Sequence, residues 1–330
     1  MLYTSTRAET AVPFTKVLID GQAPTGLYMP QSYPQLSTEL LAQMRSWDYR
    51  AIADKIVSLY APDLRSGARV SAIHRAYTKE KFGSTDITPL TWLNPGLALL
   101  ELSNGPTLAF KDVSLQLMGQ LMDHVLGEMG TDLNILGATS GDTGSAAEYA
   151  MLGRKRIQVF MLSPYGRMSE FQQRQMYTIK DDRIHNLVIN GTFDDCQRVM
   201  KEVNADAGFK ARHRIGAVNS TNWARIMAQT IYWVYAYCKA TTVPGEMISG
   251  AVPSGNFGDA LSLHVAHMMG VPIRQVIVAT NENDVLDVAF RTGVYRVRKG
   301  DEVCATSSPS MDIAEASNLE RYVYDVSGQT

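Results

Sequence analysis

The sequence predicts an α/β fold with mostly parallel β-strands. Between residues 133 and 291, short apolar runs alternate with segments of helical periodicity. Strands that alternate with helices in this way are typical of βα units and a parallel sheet. Two junctions between a strand and the following helix are rich in glycine, as expected where such a sheet binds a ligand beyond its strand ends. We therefore expect both junctions to lie at one edge of a shared sheet.

The individual elements follow from the spacing of apolar residues. Strands are predicted at 133–136, 157–161, 187–189, 215–218, 247–252 and 273–279, and helices at 144–153, 169–177, from 194 onward, 222–240, 259–269 and 284–291. Upstream, apolar residues at helical spacing predict one helix over 36–59. Pro89 and Pro95 bracket a loop that is a candidate domain boundary.

Composition argues against several classes of protein. Hydrophobic residues make up 45% and charged residues 19% of the chain, and the net charge is -2, so no basic surface for nucleic acid is expected. The three cysteines are far apart and favour a reducing compartment. The apolar stretch 226–238 is too short to span a bilayer. We expect a cytoplasmic protein without a membrane or nucleic-acid partner, and no metal site, because His264 and His267 lack an HExxH pattern.

Two glycine-rich junctions are candidate anion sites. The first loop, 137–144, reads Gly-Ala-Thr-Ser-Gly-Asp-Thr-Gly, and the second loop, 253–259, reads Pro-Ser-Gly-Asn-Phe-Gly-Asp. Glycine lets backbone amides approach an anion, and a helix N-terminus adds the positive end of its dipole. Neither loop matches the GxxxxGK[ST] or GxGxxG nucleotide patterns, and a capped turn without a ligand is the alternative for each.

Lys111 is the candidate for covalent chemistry. It ends the segment Gly-Pro-Thr-Leu-Ala-Phe-Lys and precedes a strong apolar stripe of helical spacing. At a helix start among apolar neighbours, the dipole and the loss of solvent both favour a neutral amine, which is the form that attacks an aldehyde. A solvated and inert lysine is the alternative.

Taken together, these segments resemble the threonine synthase family of the fungal and enterobacterial type. The segment 105–112 is similar to the family's cofactor-lysine motif, 138–144 to its substrate loop and 253–259 to its cofactor-phosphate loop. Weaker similarities occur in family order at 5–7, 26–28, 193–196, 219–220, 222–225 and 308–313. The family belongs to the pyridoxal 5'-phosphate (PLP) enzymes of fold type II, which are similar to the tryptophan synthase β-subunit.

The resemblance implies a role for each candidate residue. Lys111 is expected to carry PLP, and Gly255, Asn256 and Phe257 to hold its phosphate with Asp259 close by. Asp142 is expected near the cofactor ring. The remaining expected ligands contact the substrate: Thr139, Ser140 and Thr143 at its carboxylate, and Arg167 at its phosphate.

The resemblance also implies two interleaved domains behind an N-terminal segment. We expect an N-terminal domain at 1–92, a large PLP-binding domain formed by 93–135 and 245–330, and a small substrate domain at 136–244. Family members extend further at the C-terminus, where the added part completes the large domain and supplies a hydroxyl group to the pyridine nitrogen. The chain is therefore expected to be a fragment or a shortened homologue.

The implied reaction converts O-phospho-L-homoserine and water to L-threonine and phosphate, with Lys111 as the general base. Such an enzyme is a carbon–oxygen lyase acting on phosphates in threonine biosynthesis, as a monomer or homodimer. A phospho-lyase that releases a keto acid, ammonia and phosphate is the close alternative. A binding protein without catalytic activity is the alternative from another class.

Overall fold

The computed structural model describes residues 1–299 and 302–328. Its strands are β1 Tyr3–Ser5, β2 Ala8–Val12, β3 Tyr28–Pro30, β4 Leu90–Asn94, β5 Leu97–Leu100, β6 Leu133–Ala138, β7 Ile157–Pro164, β8 Ile184–Ile189, β9 Ile215–Gly216, β10 Ile248–Pro253 and β11 Ile273–Ala279. Its helices are α1 Phe14–Asp20, α2 Thr38–Met44, α3 Tyr49–Tyr60, α4 Ser66–Ala76, α5 Lys79–Phe82, α6 Lys111–Met129, α7 Asp142–Met151, α8 Glu170–Tyr177, α9 Phe193–Ala205, α10 Ala207–Arg212, α11 Trp223–Ala240, α12 Gly258–Met268, α13 Val285–Thr292 and α14 Leu319–Val326.

The predicted α/β class is confirmed, and the parallel strands form two separate sheets. One has the order β8-β7-β6-β9 and the other pairs β10 with β11, all in parallel. The remaining strands are antiparallel, in an N-terminal sheet of order β2-β1-β3 and in the β4-β5 hairpin. The expectation that both loops end strands of one sheet is therefore wrong.

A stack of helices explains why the two parallel sheets do not join. Helix α7 contacts β7, α6 packs on α7, α11 packs on α6, and α12 packs on α11 and contacts β10 and β11. Almost every residue of α11 is buried, including polar side chains such as Gln229 and Thr230. A helix that is buried on all sides lies in the interior of a fold. The sequence pattern gave the helix but not its place between two sheets.

The single helix predicted over 36–59 is wrong, because two helices occupy this segment. Helix α2 ends at Met44, and α3 begins at Tyr49 after Asp48, whose backbone is extended and whose carboxylate accepts a hydrogen bond from the Ala51 amide at 2.8 Å. An aspartate that caps a helix in this way sets a new start. The apolar spacing continues across the break and hides it.

Two predicted domain boundaries fall inside secondary structure. Residue 92 lies within β4, which pairs with β5, and the step from 135 to 136 lies within β6. The division into domains stays a prediction. Within residues 1–299 and 302–328, no helix combines the length and the apolar character that crossing a bilayer requires.

Candidate active site

Lys111 is the first residue of α6, and its side chain is almost fully buried. Its Nζ pairs with the carboxylate of Asp142 from the first loop and lies 4.8 Å from the centre of the Phe110 ring. Apolar neighbours and the helix dipole alone lead to the expectation of a neutral amine. The structure adds the Asp142 carboxylate, which accepts a hydrogen bond from the amine.

Asp142 connects Lys111 to the first loop. Burial raises the pKa of Asp142, but the Lys111 charge and hydrogen bonds from Lys111, the Ser310 hydroxyl and the Thr143 amide outweigh it, so its pKa is lower than usual. Asp142 is therefore an ionised carboxylate beside the Lys111 amine at neutral pH.

The first loop is held by one of its own side chains. The buried Thr139 hydroxyl accepts hydrogen bonds from the amides of Gly141 and Gly144, at 2.9 and 2.8 Å. Gly141 has a φ of +146°, a conformation that glycine adopts without strain. In contrast, no hydrogen bond from the side chains of Ser140 or Thr143 occurs within the described part of the chain. The loop thus turns Thr139 inward and leaves two hydroxyl groups for a ligand.

The second loop presents a row of backbone amides. It runs from the end of β10 to the start of α12, with Phe257 in the left-handed region at a φ of +61°. Among residues 1–299 and 302–328, the amides of Gly255, Asn256 and Phe257 find no acceptor, and the first intrahelical bond of α12 reaches only the Leu261 amide. Free amides at a helix N-terminus form an anion site.

Gly255 gives this loop a tight contact with a distant segment. A Cβ atom at Gly255 would lie 2.6 Å from Cγ1 of Ile313, which is closer than two non-bonded carbon atoms can approach. The segment 311–313 therefore lies directly against the loop. Only glycine fits here without displacing Ile313.

Asp259 follows the second loop but points into the helix stack. Its Oδ1 accepts hydrogen bonds from Tyr232 at 2.5 Å, Trp233 at 3.1 Å and Ser262 at 3.3 Å. Burial raises the pKa of Asp259, and these donors and the positive charge of Lys111 counteract that effect. The carboxylate joins α12 to α11, and it is near enough to Lys111 to be affected by its charge.

Comparison with known proteins decides the family. Residues 2–77 match the family model described as threonine synthase N terminus. The chain is 49% identical to a threonine synthase of Methylobacillus glycogenes and 51% identical to one of Corynebacterium glutamicum; it is covered completely and spans 71% and 70% of those proteins. The chain belongs to the threonine synthase family.

Solved threonine synthases share the whole architecture described above. A PLP-bound threonine synthase from Brucella melitensis superposes with a TM-score of 0.94 at 40% identity, over 100% of this chain and 70% of that one. The yeast threonine synthase gives 0.92 at 39% identity, over 99% and 67%. The resemblance predicted from sequence and the fold type II assignment are both confirmed.

Arg225 is a buried arginine that the charge of Asp142 affects, and no role is predicted for it from the sequence. It is fully buried on α11, and burial lowers its pKa to about 10 while the negative charge of Asp142 acts in the opposite direction. Its Nη1 donates to the Val218 carbonyl at 3.3 Å. Arg225 lies in the threonine synthase motif 222–225, which was the available signal. The predicted core position of α11 hid it.

Within the described residues, the Arg167 side chain makes no hydrogen bond or ion pair with the residues gathered around Lys111. It is exposed just beyond the end of β7, the strand that pairs with β6. The carboxyl ends of parallel neighbours share an edge, so Arg167 and the first loop lie on the same edge of the sheet. Its role in threonine synthase chemistry stays a prediction.

Proposed function

We propose that this chain converts O-phospho-L-homoserine and water to L-threonine and phosphate, with PLP carried by Lys111. One observation carries the proposal. The buried Lys111 pairs with Asp142 of the first loop, and its charge opposes the rise that burial causes in the pKa of Asp259, which follows the second loop. The amine therefore lies between two candidate anion sites, as a lysine that binds a phosphorylated aldehyde and an anionic substrate requires.

The residues of the second loop fit the phosphate of PLP. The amides of Gly255, Asn256 and Phe257 are free of other acceptors within the described residues and adjoin the N-terminus of α12. When bound, PLP withdraws electrons from the substrate and stabilises negative charge on it. Pyridoxal phosphate is the cofactor that the family membership indicates, and the amide row is the chain's own feature that suits it.

Lys111 and Asp142 move and hold protons in this proposal. The Lys111 Nζ removes the α-proton of the substrate and returns protons at later steps, as a general base and acid. Asp142 stays ionised and accepts the hydrogen bond of the protonated amine, which keeps Nζ in place between transfers. The almost complete burial of Lys111 excludes water from these transfers.

The first loop binds the other end of the substrate. We assign the substrate carboxylate to the hydroxyls of Ser140 and Thr143 and to the positive end of α7. Thr139 acts through the loop, because its hydroxyl already accepts the Gly141 and Gly144 amides. Arg167 is assigned to the substrate phosphate on the basis of its place at the same sheet edge.

The test supplies PLP and O-phospho-L-homoserine and measures phosphate, threonine, keto acid and ammonia separately. The proposal expects phosphate and threonine in equal amounts. Keto acid and ammonia in place of threonine would show the phospho-lyase reaction, and the absence of any product would favour the binding-protein alternative. The chain is 35% identical to the mouse protein named threonine synthase-like 2, less than to the bacterial threonine synthases.

Lys111→Ala is the matched variant for this assay. We expect its rate of phosphate release to fall by about 10²–10⁴-fold or more, because the general base is lost. Lys155→Ala is the control, since Lys155 is exposed, and its rate should equal that of the wild type. A Lys111→Ala variant with nearly normal turnover contradicts the assignment. The predictions of a cytoplasmic location and a monomer or homodimer stay open to separate tests.

A further inference from the structure

The carbonyl of Asn256, at the centre of the second loop, is held by a residue from the far end of the chain. Asn318 donates to the Asn256 oxygen twice, from its backbone amide at 3.0 Å and from its side-chain Nδ2 at 3.3 Å. Asn318 is fully buried, directly before α14. Two donors on one carbonyl leave that peptide group little freedom to rotate.

The direction of this carbonyl determines the direction of the next amide. In a planar trans peptide, the C=O of one residue and the N–H of the following residue point in opposite directions. Because Asn318 holds the Asn256 carbonyl, the Phe257 amide points to the opposite side of the loop. Phe257 adopts a φ of +61°, which costs free energy for a bulky residue, so the peptide needs an external restraint.

Arg321 fixes which end of the Asn318 side chain faces the loop. Its Nη1 donates to Asn318 Oδ1 at 2.5 Å, and because arginine has only donors, the amide oxygen must face it. The Nδ2 group of Asn318 is therefore left to donate to Asn256. A flipped amide would place two oxygens against each other and two donors against each other.

Arg321 is itself locked on three sides. Nε donates to the Tyr28 carbonyl at 3.0 Å and Nη2 to the Thr221 carbonyl at 2.5 Å, and the guanidinium lies 5.7 Å from the centre of the Trp223 ring. Tyr28 belongs to β3, so the N-terminal sheet takes part in the restraint.

Ser317 adds a contact that orients the Asn256 side chain. Its hydroxyl donates to Asn256 Oδ1 at 3.3 Å, which leaves the Nδ2 group of Asn256 available as a further donor. The backbone and the side chain of Asn256 are thus both held by residues 317 and 318.

We propose that Asn318, locked by Arg321, is a positioning residue that aims the Phe257 amide at the cofactor phosphate. The inference rests on the proposed function, because it names what orients the phosphate site of that enzyme. It also gives the N-terminal segment a role, since β3 holds Arg321.

Asn318→Asp tests the inference, with PLP and pyridoxal as a pair of probes. Pyridoxal has the same aldehyde but no phosphate. In the variant, a carboxylate oxygen replaces the donor that faces the Asn256 carbonyl. We expect the Kd for PLP, measured from the visible absorbance of the bound form, to rise by at least about tenfold, because a hydrogen bond to a charged group is lost. The Kd for pyridoxal should stay within about twofold, since none of the lost bonds involves it.

Two further variants keep the test decisive. Asn318→Ala retains the backbone hydrogen bond to Asn256, so the ratio of the Kd for PLP to the Kd for pyridoxal should rise, but by less than in Asn318→Asp. This variant replaces Asn318→Asp in the test if the aspartate variant does not fold. Asn134→Asp is the matched control, because Asn134 Nδ2 donates to the His213 carbonyl at 2.6 Å in the other parallel sheet. Its ratio should equal that of the wild type. The melting temperature without PLP separates a general loss of stability from a change in the ratio.

The outcomes separate this inference from the proposed function. A wild type that binds PLP more tightly than pyridoxal, with a changed ratio in the Asn318 variants, supports the inference. An unchanged ratio in folded Asn318 variants overturns it and leaves the proposed function standing. A wild type that binds neither compound overturns both.

Discussion

The two loops beside Lys111 end similar strands and begin similar helices, but they are held in different ways. The first loop is held from within, since the Thr139 hydroxyl accepts the amides of Gly141 and Gly144. The second loop is held from outside, since its Asn256 carbonyl accepts both donors of Asn318, 62 positions further along the chain. The Thr139 bonds of the first loop need only residues of its own βα unit, whereas the Asn256 bonds of the second loop need the C-terminal segment.

The helices that follow the two loops differ in whether their buried carboxyl group has hydrogen-bond donors. Asp259 of α12 is buried with three donors from α11 and α12. Glu148 of α7 is also buried, but neither carboxylate oxygen has a hydrogen-bond partner in the described chain, and burial raises its pKa more than the nearby Asn186 side chain lowers it. A buried carboxyl group without donors keeps its proton, whereas a donor set stabilises the ionised form.

Glu148→Gln should give the largest effect and sharpen this contrast. Burial raises the pKa of Glu148 to about 8. Below the unfolded pKa of about 4.3 both states are protonated; as pH rises towards 8, only the unfolded state loses its proton, so the folded state loses relative stability. Glutamine does not titrate, so the variant does not lose stability in this way as the pH rises. From pH 5 to pH 9, the free energy of unfolding of the variant should gain roughly 4 kcal/mol on the wild type.

Urea unfolding of both proteins at the two pH values measures this difference. Glu202→Gln is the control, because Glu202 is exposed on α9 and its variant should follow the wild type at both pH values. Parallel stability curves for Glu148→Gln and the wild type would contradict a protonated carboxyl group beneath the first loop.

Thr139→Val should break the first loop while leaving the second intact. The change keeps the shape of the side chain and removes the acceptor of two amides, which should cost about 2–3 kcal/mol in unfolding free energy. The KM for O-phospho-L-homoserine should rise, and the Kd for PLP should change little. Thr139→Ser retains the hydroxyl and should restore both quantities. A variant that weakens PLP binding but spares KM would show that the loops do not act separately.

Gly255→Ala should perturb the second loop through a neighbour, with a smaller effect. The new Cβ would meet Ile313 Cγ1 at 2.6 Å, and overpacking of this kind costs about 1–2 kcal/mol. Because Ile313 is the residue that the new Cβ would meet, a second substitution, Ile313→Ala, should recover part of the affinity for PLP that Gly255→Ala loses. Calorimetry of PLP binding to both variants measures the recovery. If the affinity for PLP does not recover, the effect of Gly255→Ala arises in the loop backbone and not from its contact with residues 311–313.

The difference between the loops also explains what the sequence could predict. The strands, their helices and Lys111 follow from local patterns, and the first loop is held by a residue five positions or fewer from the amides it accepts. The partners of the second loop lie far along the chain, and no local pattern pairs Asn256 with Asn318. Local spacing also did not separate the two parallel sheets, because their separation depends on where α11 packs.

The charges around Lys111 illustrate the same limit. Apolar spacing predicted that Lys111 lies at a helix start. It did not predict that the Asp142 carboxylate pairs with Lys111 from another βα unit, or that the charge of Asp142 acts on Arg225 of α11. Long-range contacts of this kind are set by tertiary packing and not by the residues next in sequence. The resemblance to a family gave Asp142 a role, whereas Arg225, although it lies in the similar segment 222–225, was given none.

The central claim is that Lys111 is the residue that binds the cofactor aldehyde between the two loops. Incubating the protein with PLP, reducing it with borohydride and mapping the modified peptide by mass spectrometry tests this claim directly. We predict that the phosphopyridoxyl group is found on Lys111, in the peptide that begins α6. In Lys111→Ala this peptide should carry no label, and no other lysine should be labelled to the same extent. Labelling of a different lysine in the wild type, with Lys111 unmodified, would contradict it.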